Sequence, residues 1–406
     1  MILKETLRKV VKSQREELYK LELGIQREEL KKIKLDLPFA LVISGIRRCG
    51  KSTLLKQLTN KVKGFYYFNF EDPRAINFDL KDFEKLNEIF IEEFGDQDYY
   101  FFDEIQNVQK WELFIRAMLD KNKHFLITGS NASLLSKELG TRLTGRHLRQ
   151  ELFPFSFKEF LELTKKEQNK DSFKSYLSKG GFPEYLKFEK SEILHELLND
   201  IIFRDIAIRY KIKNTKALKE IALYLITNIG KEFSYNHLKK IFNIGSINSI
   251  ISFISYFEDA YLLFTVPRFN YSLKKQIISP KKIYSIDNGI SNVNSASFSE
   301  DKGRMIENMV YLNLRRKYKN IFYFKEQKEC DFIIKDGNKI KEALQVCYEL
   351  NEENKDREIE GLTEALEEFK LKKGYILTFN QTDKIKIKDK VIIITPVWKW
   401  MLKKQI

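Results

Sequence analysis

The sequence has few of the residues that build disulfide frameworks or metal sites. Among 406 residues there are three cysteines and four histidines. The cysteines form no C-x-x-C pair, and the histidines lie too far apart in sequence for a zinc site. A disulfide-based fold is therefore excluded, and we expect a protein of the reducing cytoplasm. The cysteines are Cys49, Cys330 and Cys347.

Long apolar runs are also missing. No stretch approaches the roughly 18 consecutive apolar residues that cross a membrane. The N-terminal sequence MILKETLRKVVKSQREEL is too highly charged for a signal peptide. We therefore expect no membrane contact. Apolar residues at helical spacing within residues 1–36 predict a helical N-terminal arm instead.

Acidic residues are outnumbered by basic ones, which leaves a formal net charge of +15. A strongly basic protein is suited to neutralising nucleic-acid phosphates. Only 17 of the 72 basic residues are arginine, however, and scattered lysines also keep a surface soluble. The charge is compatible with a double-stranded DNA partner but does not require one.

The first part of the chain alternates strand-like and helix-like segments. Apolar runs at 38–45, 65–72, 98–104, 123–130 and 149–155 are separated by segments of helix length. This alternation predicts βαβ units and a parallel sheet, so the fold class is α/β. We assign residues 1–165 to this first domain, including the arm.

A phosphate-binding loop lies directly after the first predicted strand. The segment GIRRCGKST matches G-x-x-x-x-G-K-[ST], and it opens a predicted helix. We expect Gly45 and Gly50 to let the backbone turn, so that N–H groups and the helix dipole face phosphate. Lys51 is expected to reach the β- and γ-phosphates of ATP, and Ser52 to offer its hydroxyl to Mg²⁺. The predicted nucleotide-binding residues are Gly45, Ile46, Arg47, Arg48, Cys49, Gly50, Lys51, Ser52 and Thr53.

The segment YYFFDEIQ supplies acidic residues about 55 positions later. Asp103 ends a buried strand, where open α/β sheets place ligands, and is predicted to hold Mg²⁺ through water. Glu104 follows and is predicted to activate the attacking water as a general base.

Polar residues after the next two strands complete the predicted site. FLITGSNASLL ends with Ser130 and Asn131, where Asn131 would detect the γ-phosphate, or would cap the following helix. TRLTGRHLRQ contains Arg142, Arg146 and Arg149. We favour Arg146 as the arginine that stabilises the transition state, from the same or a neighbouring subunit. The second case requires a homo-oligomer.

Residues 166–271 are predicted to be helical and then to form a winged helix. Helical segments precede two ribbon strands, YLLFTV and PRFNYS, and Ser234 would cap the middle helix. The presumed recognition helix, SINSIISFISYF, has no arginine or lysine, which argues against sequence-specific base contacts. Lys239 and Lys240 remain candidates for phosphate contacts.

These motifs together resemble a known family. The segments SGIRRCGKSTLL, FNFEDPR, FFDEIQNV, TGSNASLL, LTGRHLRQELFPFSFKEFL, GGFPEYL and ECDFIIK…LQVCYEL are similar, in this order, to the prokaryotic AAA-type ATPases with a C-terminal DUF4143 region. The resemblance implies ATP and Mg²⁺ binding, expected hydrolysis, a winged-helix segment and a C-terminal domain related to restriction endonucleases, here residues 272–406. It also places Glu71 and Asp72 near the nucleotide.

The resemblance raises the question of nuclease activity. An endonuclease-type centre places a glutamate on a helix, an aspartate on a strand and an acid-x-lysine on the next strand. Glu307 and Asp331 match the first two positions, but Gln345 and Cys347 stand at the last two. An amide is a poor ligand for Mg²⁺, and a thiol lacks the ammonium charge. We therefore expect a degenerate centre, unless Lys341 or Glu349 has taken over a missing role.

Three functions stay open. We favour an ATPase switch or motor acting on DNA. The alternative is an ATPase regulating a protein partner through a catalytically dead nuclease-like docking domain, and the least favoured is an ATP-dependent nuclease.

Overall fold

The computed structural model describes residues 2–130, 145–295 and 301–403. The chain divides into two compact units at the junction of Phe153 and Pro154. Each unit is described separately below.

The first unit is built on a five-stranded sheet in which every pairing is parallel. The strand order is β2-β3-β4-β1-β5, which confirms the predicted α/β class. The strands are β1 Ala40–Ser44, β2 Tyr66–Asn69, β3 Tyr99–Asp103, β4 His124–Gly129 and β5 His147–Glu151. The helices are α1 Lys4–Lys20, α2 Lys51–Thr59, α3 Asp82–Phe94 and α4 Trp111–Leu119, with 3₁₀ turns at Glu28–Lys31, Pro73–Ala75 and Ile105–Asn107.

Burial on both faces explains why the central strands are almost entirely apolar or aromatic. Tyr100, Phe101 and Phe102 of β3 are each no more than 1% exposed. Tyr100 stacks on Phe125 of β4 with ring centroids 4.7 Å apart. The carboxyl ends of β1, β3 and β4 therefore lie side by side on a rigid base.

The N-terminal arm is shorter than predicted. Helix α1 ends at Lys20, and residues 21–36 contain only the 3₁₀ turn, with Gly24 in the left-handed region at φ 57°. The apolar face of α1 packs against β2 and α3. Gln14, on that face, is buried and donates through Nε2 to the Asn69 carbonyl (3.0 Å), while its Oε1 accepts from the Asn69 N–H (2.8 Å).

The second unit begins with helices and continues into a winged helix. The first helices are α5 Phe157–Thr164, α6 Lys170–Lys179, α7 Pro183–Phe188 and α8 Ser191–Asp200, continued by a π-helical stretch, Ile201–Ile208. The winged-helix elements are α9 Thr215–Thr227, β6 Glu232–Phe233, α10 Tyr235–Ile241, α11 Ile247–Asp259, β7 Leu263–Pro267, α12 Leu273–Ile278 and β8 Lys281–Ser285. Ser234 caps α10 by accepting from the His237 N–H at 3.2 Å, as expected.

The ribbon of the winged helix differs from the prediction. Its strands are β7 and β8, which pair in antiparallel fashion, and the order of its sheet is β6-β8-β7. The segment PRFNYS begins at Pro267, the last residue of β7, and otherwise lies in the connection between these strands. There the Phe269 N–H donates to the Tyr323 carbonyl (2.7 Å). The predicted boundary at residue 271 therefore falls between two strands of one sheet.

The C-terminal part is a six-stranded mixed sheet with helices. Its order is β13-β14-β12-β11-β10-β9, with β9 Ile321–Lys325, β10 Glu329–Asp336, β11 Lys339–Val346, β12 Lys373–Thr378, β13 Asp383–Ile387 and β14 Lys390–Pro396. The helices are α13 Asn288–Asn294, α14 Lys302–Arg315, α15 Lys355–Glu368 and α16 Val397–Leu402. The sequence pattern did not predict α13, β13, β14, α15 or α16. No helix among the described residues combines the length and apolar character needed to span a membrane.

Candidate functional site

The phosphate loop connects β1 to α2, and its backbone has two left-handed residues. Arg48 has φ 61° and Gly50 has φ 97°, a conformation that favours glycine at the second position. We expected glycine at position 45 because the backbone turns there, but the φ of Gly45 is not positive. A Cβ at Gly45 would lie 2.2 Å from the Leu152 carbonyl oxygen. Close approach of the β5 extension, rather than a turn, excludes a side chain there.

Arg27 also holds this loop in place, and the sequence pattern did not identify it. Its side chain is 1% exposed and donates to the carbonyls of Cys49 and Phe153, both at 2.7 Å. Its NH1 would lie 3.1 Å from a Cβ at Gly50. Charged donors make strong hydrogen bonds, so Arg27 fixes the loop carbonyl next to Gly50.

The side chains of Lys51 and Glu104 lie close together at the phosphate loop. Lys51 Nζ lies 3.5 Å from Glu104 Oε1 and donates to the carbonyls of Gly45 (3.2 Å) and Ile46 (3.3 Å). Glu104 has φ 53°, a strained conformation for a side chain of this kind, and it follows directly on β3. Burial acts to raise the pKa of Glu104, but the charge of Lys51 and a hydrogen bond from Gln106 outweigh it and lower the pKa. Glu104 is therefore ionised and faces the loop.

Asp103, at the end of β3, is 1% exposed. Its Oδ1 accepts a hydrogen bond from the Thr128 hydroxyl of β4, and that hydroxyl also accepts from the Glu104 N–H at 3.0 Å. Burial, and then the charge of Glu104, raise the pKa of Asp103, while hydrogen bonds from Thr128 and Ser52 lower it. A buried carboxylate beside a serine hydroxyl offers the hard oxygen donors that suit Mg²⁺. The sequence did not indicate a role for Thr128 at the site, because threonine is common in strands for packing reasons alone.

A cavity of about 660 Å³ opens beside Ser52 and Asp103. Its walls include residues of α1 together with Glu71 and Asp72, which the resemblance placed near the nucleotide. Hydrogen bonds from Arg74, partly opposed by burial, bring the pKa of Asp72 to about 2. Arg47 NH1 donates to Glu71 Oε1 at 3.3 Å and so links the phosphate loop to this wall.

Two of the predicted arginines lie at different points along one edge of the sheet: Arg146 directly precedes β5, and Arg149 is the middle residue of β5. The carbonyl of Arg146 accepts from Ala40, the first residue of β1, and its guanidinium pairs with Asp120. Five strand residues at about 3.3 Å each separate that position from the phosphate loop. Arg149, by contrast, donates through Nε to the Ser44 hydroxyl at 3.0 Å, next to the loop. Arg146 therefore cannot reach a nucleotide bound to its own chain.

The remaining residues of this prediction are partly outside the described structure. Ser130 is buried directly after β4, beside β1 and β3. Asn131 and Arg142 lie outside the described residues.

The nuclease-like positions come together in the second unit. Glu307 projects from α14, and Asp331 accepts through Oδ2 from the Val346 N–H at 2.9 Å. Gln345 Oε1 accepts from the Asp331 N–H at 3.1 Å. Cys347 packs with the apolar core of the C-terminal sheet, and burial raises its pKa to about 12. A neutral thiol of this kind cannot replace an ammonium group.

A lysine does occupy the centre, but it comes from β8. Lys282 is 2% exposed, and its Nζ lies 2.9 Å from Glu307 Oε1, 2.8 Å from Glu329 Oε1 and 2.8 Å from Asp331 Oδ1. Burial is the main cause that raises the pKa of Asp331 to about 7. The charge of Lys282 acts to lower this pKa, and the charge of Glu307 acts to raise it. Lys282 and Glu329 were both missed by the sequence analysis.

The other candidates for missing roles lie elsewhere. Lys341 is exposed, and its Nζ lies 3.6 Å from Asp336, on the far end of the hairpin. Glu349 is exposed beyond the end of β11. The partner of Gln345 is Glu358 of α15, whose Oε2 accepts from Gln345 Nε2 at 2.6 Å. Across residues 2–130, 145–295 and 301–403, no group of three or more histidine, cysteine or acidic side chains is arranged to hold a metal ion.

Solved structures resemble this chain only distantly. AMPPCP-bound DnaA from Aquifex aeolicus matches with a TM-score of 0.30 and 16% identity, over 57% of this chain and 85% of that chain. PCH-2 from C. elegans matches with a TM-score of 0.21 and 12% identity, over 62% of this chain and 68% of that chain. Likeness at this level carries no argument about mechanism.

Whole-chain relatives are much closer. An uncharacterized protein of Methanocaldococcus jannaschii, MJ1544, is 41% identical over 393 residues, which cover 89% of this chain and 88% of that protein. An uncharacterized protein of Haemophilus influenzae is 30% identical over 343 residues, covering 78% of this chain and 84% of the relative.

Family models divide the chain in three. Residues 38–161 match an AAA domain, residues 170–301 match a domain of unknown function, DUF8612, and residues 302–400 match a second, DUF4143. The resemblance inferred from the motifs is thereby confirmed. The chain belongs to the family of nucleotide-binding AAA-domain proteins that carry a C-terminal DUF4143 region.

Proposed function

We propose that the chain binds ATP with Mg²⁺, hydrolyses it to ADP and phosphate, and uses this cycle to act on DNA. Mg²⁺ would be held by Ser52 and Asp103, where it would neutralise charge on the β- and γ-phosphates. Lys51 would bind the phosphates, and Glu104 would take a proton from the attacking water.

The convergence of Lys51 and Glu104 at 3.5 Å is the observation that carries the hydrolytic part of this proposal. A binding-only site has no need of an ionised carboxylate against the phosphate-binding lysine. The lowered pKa of Glu104 keeps it able to accept a proton at neutral pH. The Thr128 hydroxyl supports the acid pair by bonding to both members.

The winged helix and the net charge of +15 support DNA as the partner. The presumed recognition helix α11 exposes Asn248, Ile251 and Ser255 but carries no arginine or lysine. The wing, residues 268–280 between β7 and β8, carries exposed Lys274 and Lys275. This distribution fits contacts to the phosphate backbone, which are independent of sequence and sensitive to salt.

A protein partner is the second candidate function, because the same wing is also apolar. Its exposed apolar residues are Tyr271 (78%), Leu273 (68%), Ile277 (61%) and Ile278 (71%). Patches of this kind mark interaction surfaces. In that case the nuclease-like domain would be a docking surface without catalysis.

Phosphate release by the full chain, with and without duplex DNA, tests the proposal. The assay is run at low and moderate salt with Lys51→Ala as the inactive control, and the DNA is inspected on a gel. We expect turnover that DNA stimulates and that salt weakens, with intact DNA. Turnover indifferent to DNA would favour the protein partner, and no turnover above the Lys51→Ala control would refute hydrolysis. Nicked DNA would support the nuclease.

A further inference from the structure

The acidic centre of the second unit is arranged around one nitrogen atom. Three carboxylates from two elements contact Lys282 Nζ at 2.8–2.9 Å. They are Glu307 of α14 and Glu329 and Asp331 of β10. Lys282 itself lies on β8, which pairs with β6 and β7 on its two sides. The ammonium is therefore held by the middle strand of a sheet and not by a mobile loop.

Other contacts fix each carboxylate independently of the lysine. The Tyr284 hydroxyl donates to Glu307 Oε1 at 2.6 Å, and the Val346 N–H donates to Asp331 Oδ2. Lys325 Nζ lies 3.2 Å from Glu329 Oε2. The carboxylates around Lys282 are thus also held by contacts other than those to the lysine.

This centre also holds more negative charge than one ammonium group can balance. Three carboxylates surround one buried ammonium, and Lys325 at the rim adds one more positive charge. A cavity of about 600 Å³ opens onto the same residues and connects them to solvent. An ion from solvent would therefore have access if the ammonium were not there.

We propose that the Lys282 ammonium occupies the position of a divalent cation, so that the chain fills this centre with a charge of its own and excludes metal. The metal implied by the endonuclease-like fold does not fit the centre while Lys282 is present, because its nitrogen contacts all three carboxylates. Removing the ammonium exposes a site of three carboxylates, the hard-oxygen set that Mn²⁺ and Mg²⁺ accept. This inference does not depend on ATP hydrolysis.

Manganese binding by the nucleotide-free full chain tests the proposal by titration calorimetry. We expect Lys282→Ala to gain one equivalent of Mn²⁺ binding, at least tenfold tighter than any binding by the unmodified chain at this centre. Lys281→Ala is the matched control, since Lys281 is the adjacent residue and donates to the Tyr235 hydroxyl at 3.0 Å instead. Lys282→Arg keeps a cation and should gain no site. Lys282→Ala combined with Asp331→Asn should lose the gained site.

Thermal unfolding keeps the test decisive if Lys282→Ala is poorly folded. Three carboxylates without their cation destabilise the fold, and a ligand that binds only the folded state restores it. Mn²⁺ should therefore raise the unfolding midpoint of Lys282→Ala and leave that of Lys281→Ala unchanged. Equal Mn²⁺ binding by the unmodified chain, no rescue of Lys282→Ala, or a gained site that survives Asp331→Asn would overturn the proposal.

Discussion

Replacing Glu104 with glutamine should have two opposite effects on ATP. The substitution keeps the shape of the side chain but removes the charge that faces Lys51 at 3.5 Å. In the structure, the Lys51 ammonium contacts this carboxylate and also donates to the carbonyls of Gly45 and Ile46. A nucleotide must compete with Glu104 for the ammonium. The variant should therefore bind ATP more tightly and hydrolyse it more slowly.

The size of the affinity gain follows from the burial of the pair. Side-chain exposure is 5% for Lys51 and 14% for Glu104. Exposed ion pairs contribute about 0.2–1 kcal/mol, and the attraction is several-fold larger where the surroundings are less polar than water. Because the carbonyls keep part of the lysine's hydrogen bonding, we expect about 1–2 kcal/mol, or roughly 5- to 30-fold tighter binding. Loss of the general base should slow turnover by about 10²- to 10⁴-fold.

Titration with a fluorescent ATP analogue and a phosphate-release assay measure the two effects. In a Lys51→Met background the same Glu104→Gln change should leave affinity unaltered, because the charge it relieves is gone. Weaker ATP binding by Glu104→Gln alone would refute the proposed competition, and normal turnover would refute the role as general base.

Three other predictions concern residues outside this pair. Arg27→Met removes two charge-assisted hydrogen bonds at about 1.5–3 kcal/mol each, so we expect the free energy of unfolding to fall by about 3 kcal/mol and ATP affinity to weaken. Denaturant unfolding and nucleotide titration measure this, with Arg27→Lys as control, and wild-type affinity in Arg27→Met would contradict the supporting role. Arg146→Ala should lower turnover only at protein concentrations where chains associate, and turnover unchanged at every concentration would exclude action across an interface. Burial raises the pKa of Asp287 from 3.8 to about 7, so the folded state binds more protons between these values and stability falls as pH rises through that window. Asp287→Asn should flatten this slope in unfolding measured from pH 4 to 8, and an unchanged slope would show that another group titrates.

The parts of the fold that the sequence predicted correctly depend on local patterns. The phosphate-loop motif, residues 45–53, spans the junction between a buried strand and a helix, so a short motif fixes both the place and the direction of the loop. Strands β1 to β4 were recognised because burial on both faces makes them nearly continuous apolar runs. Strand β5 has no buried residue and begins two residues before the run predicted at 149–155. The helical arm was predicted too long because apolar residues continue through 21–36, although Leu21 and Leu23 are exposed and Gly24 is left-handed.

The parts that were missed depend on contacts between distant segments. Lys282 precedes Asp331 by 49 positions and belongs to a different sheet, so no spacing rule connects the two. Arg27 is one of three arginines in a charged arm, and its burial distinguishes it from the others. Arg146 and Arg149 differ in their distance from the phosphate loop, which depends on the register of β5 against β1.

The contact between Gln14 and Asn69 determines what can happen at one side of the first sheet. Strand β2 is outermost there, and an outermost strand presents unpaired N–H and C=O groups to any added chain. The carboxamide of Gln14 has the same donor and acceptor as a peptide group, and it pairs with both groups of Asn69. One side chain of α1 thus takes the place of a sixth strand. A peptide that extends this sheet by strand addition at β2 would therefore have to displace α1 first.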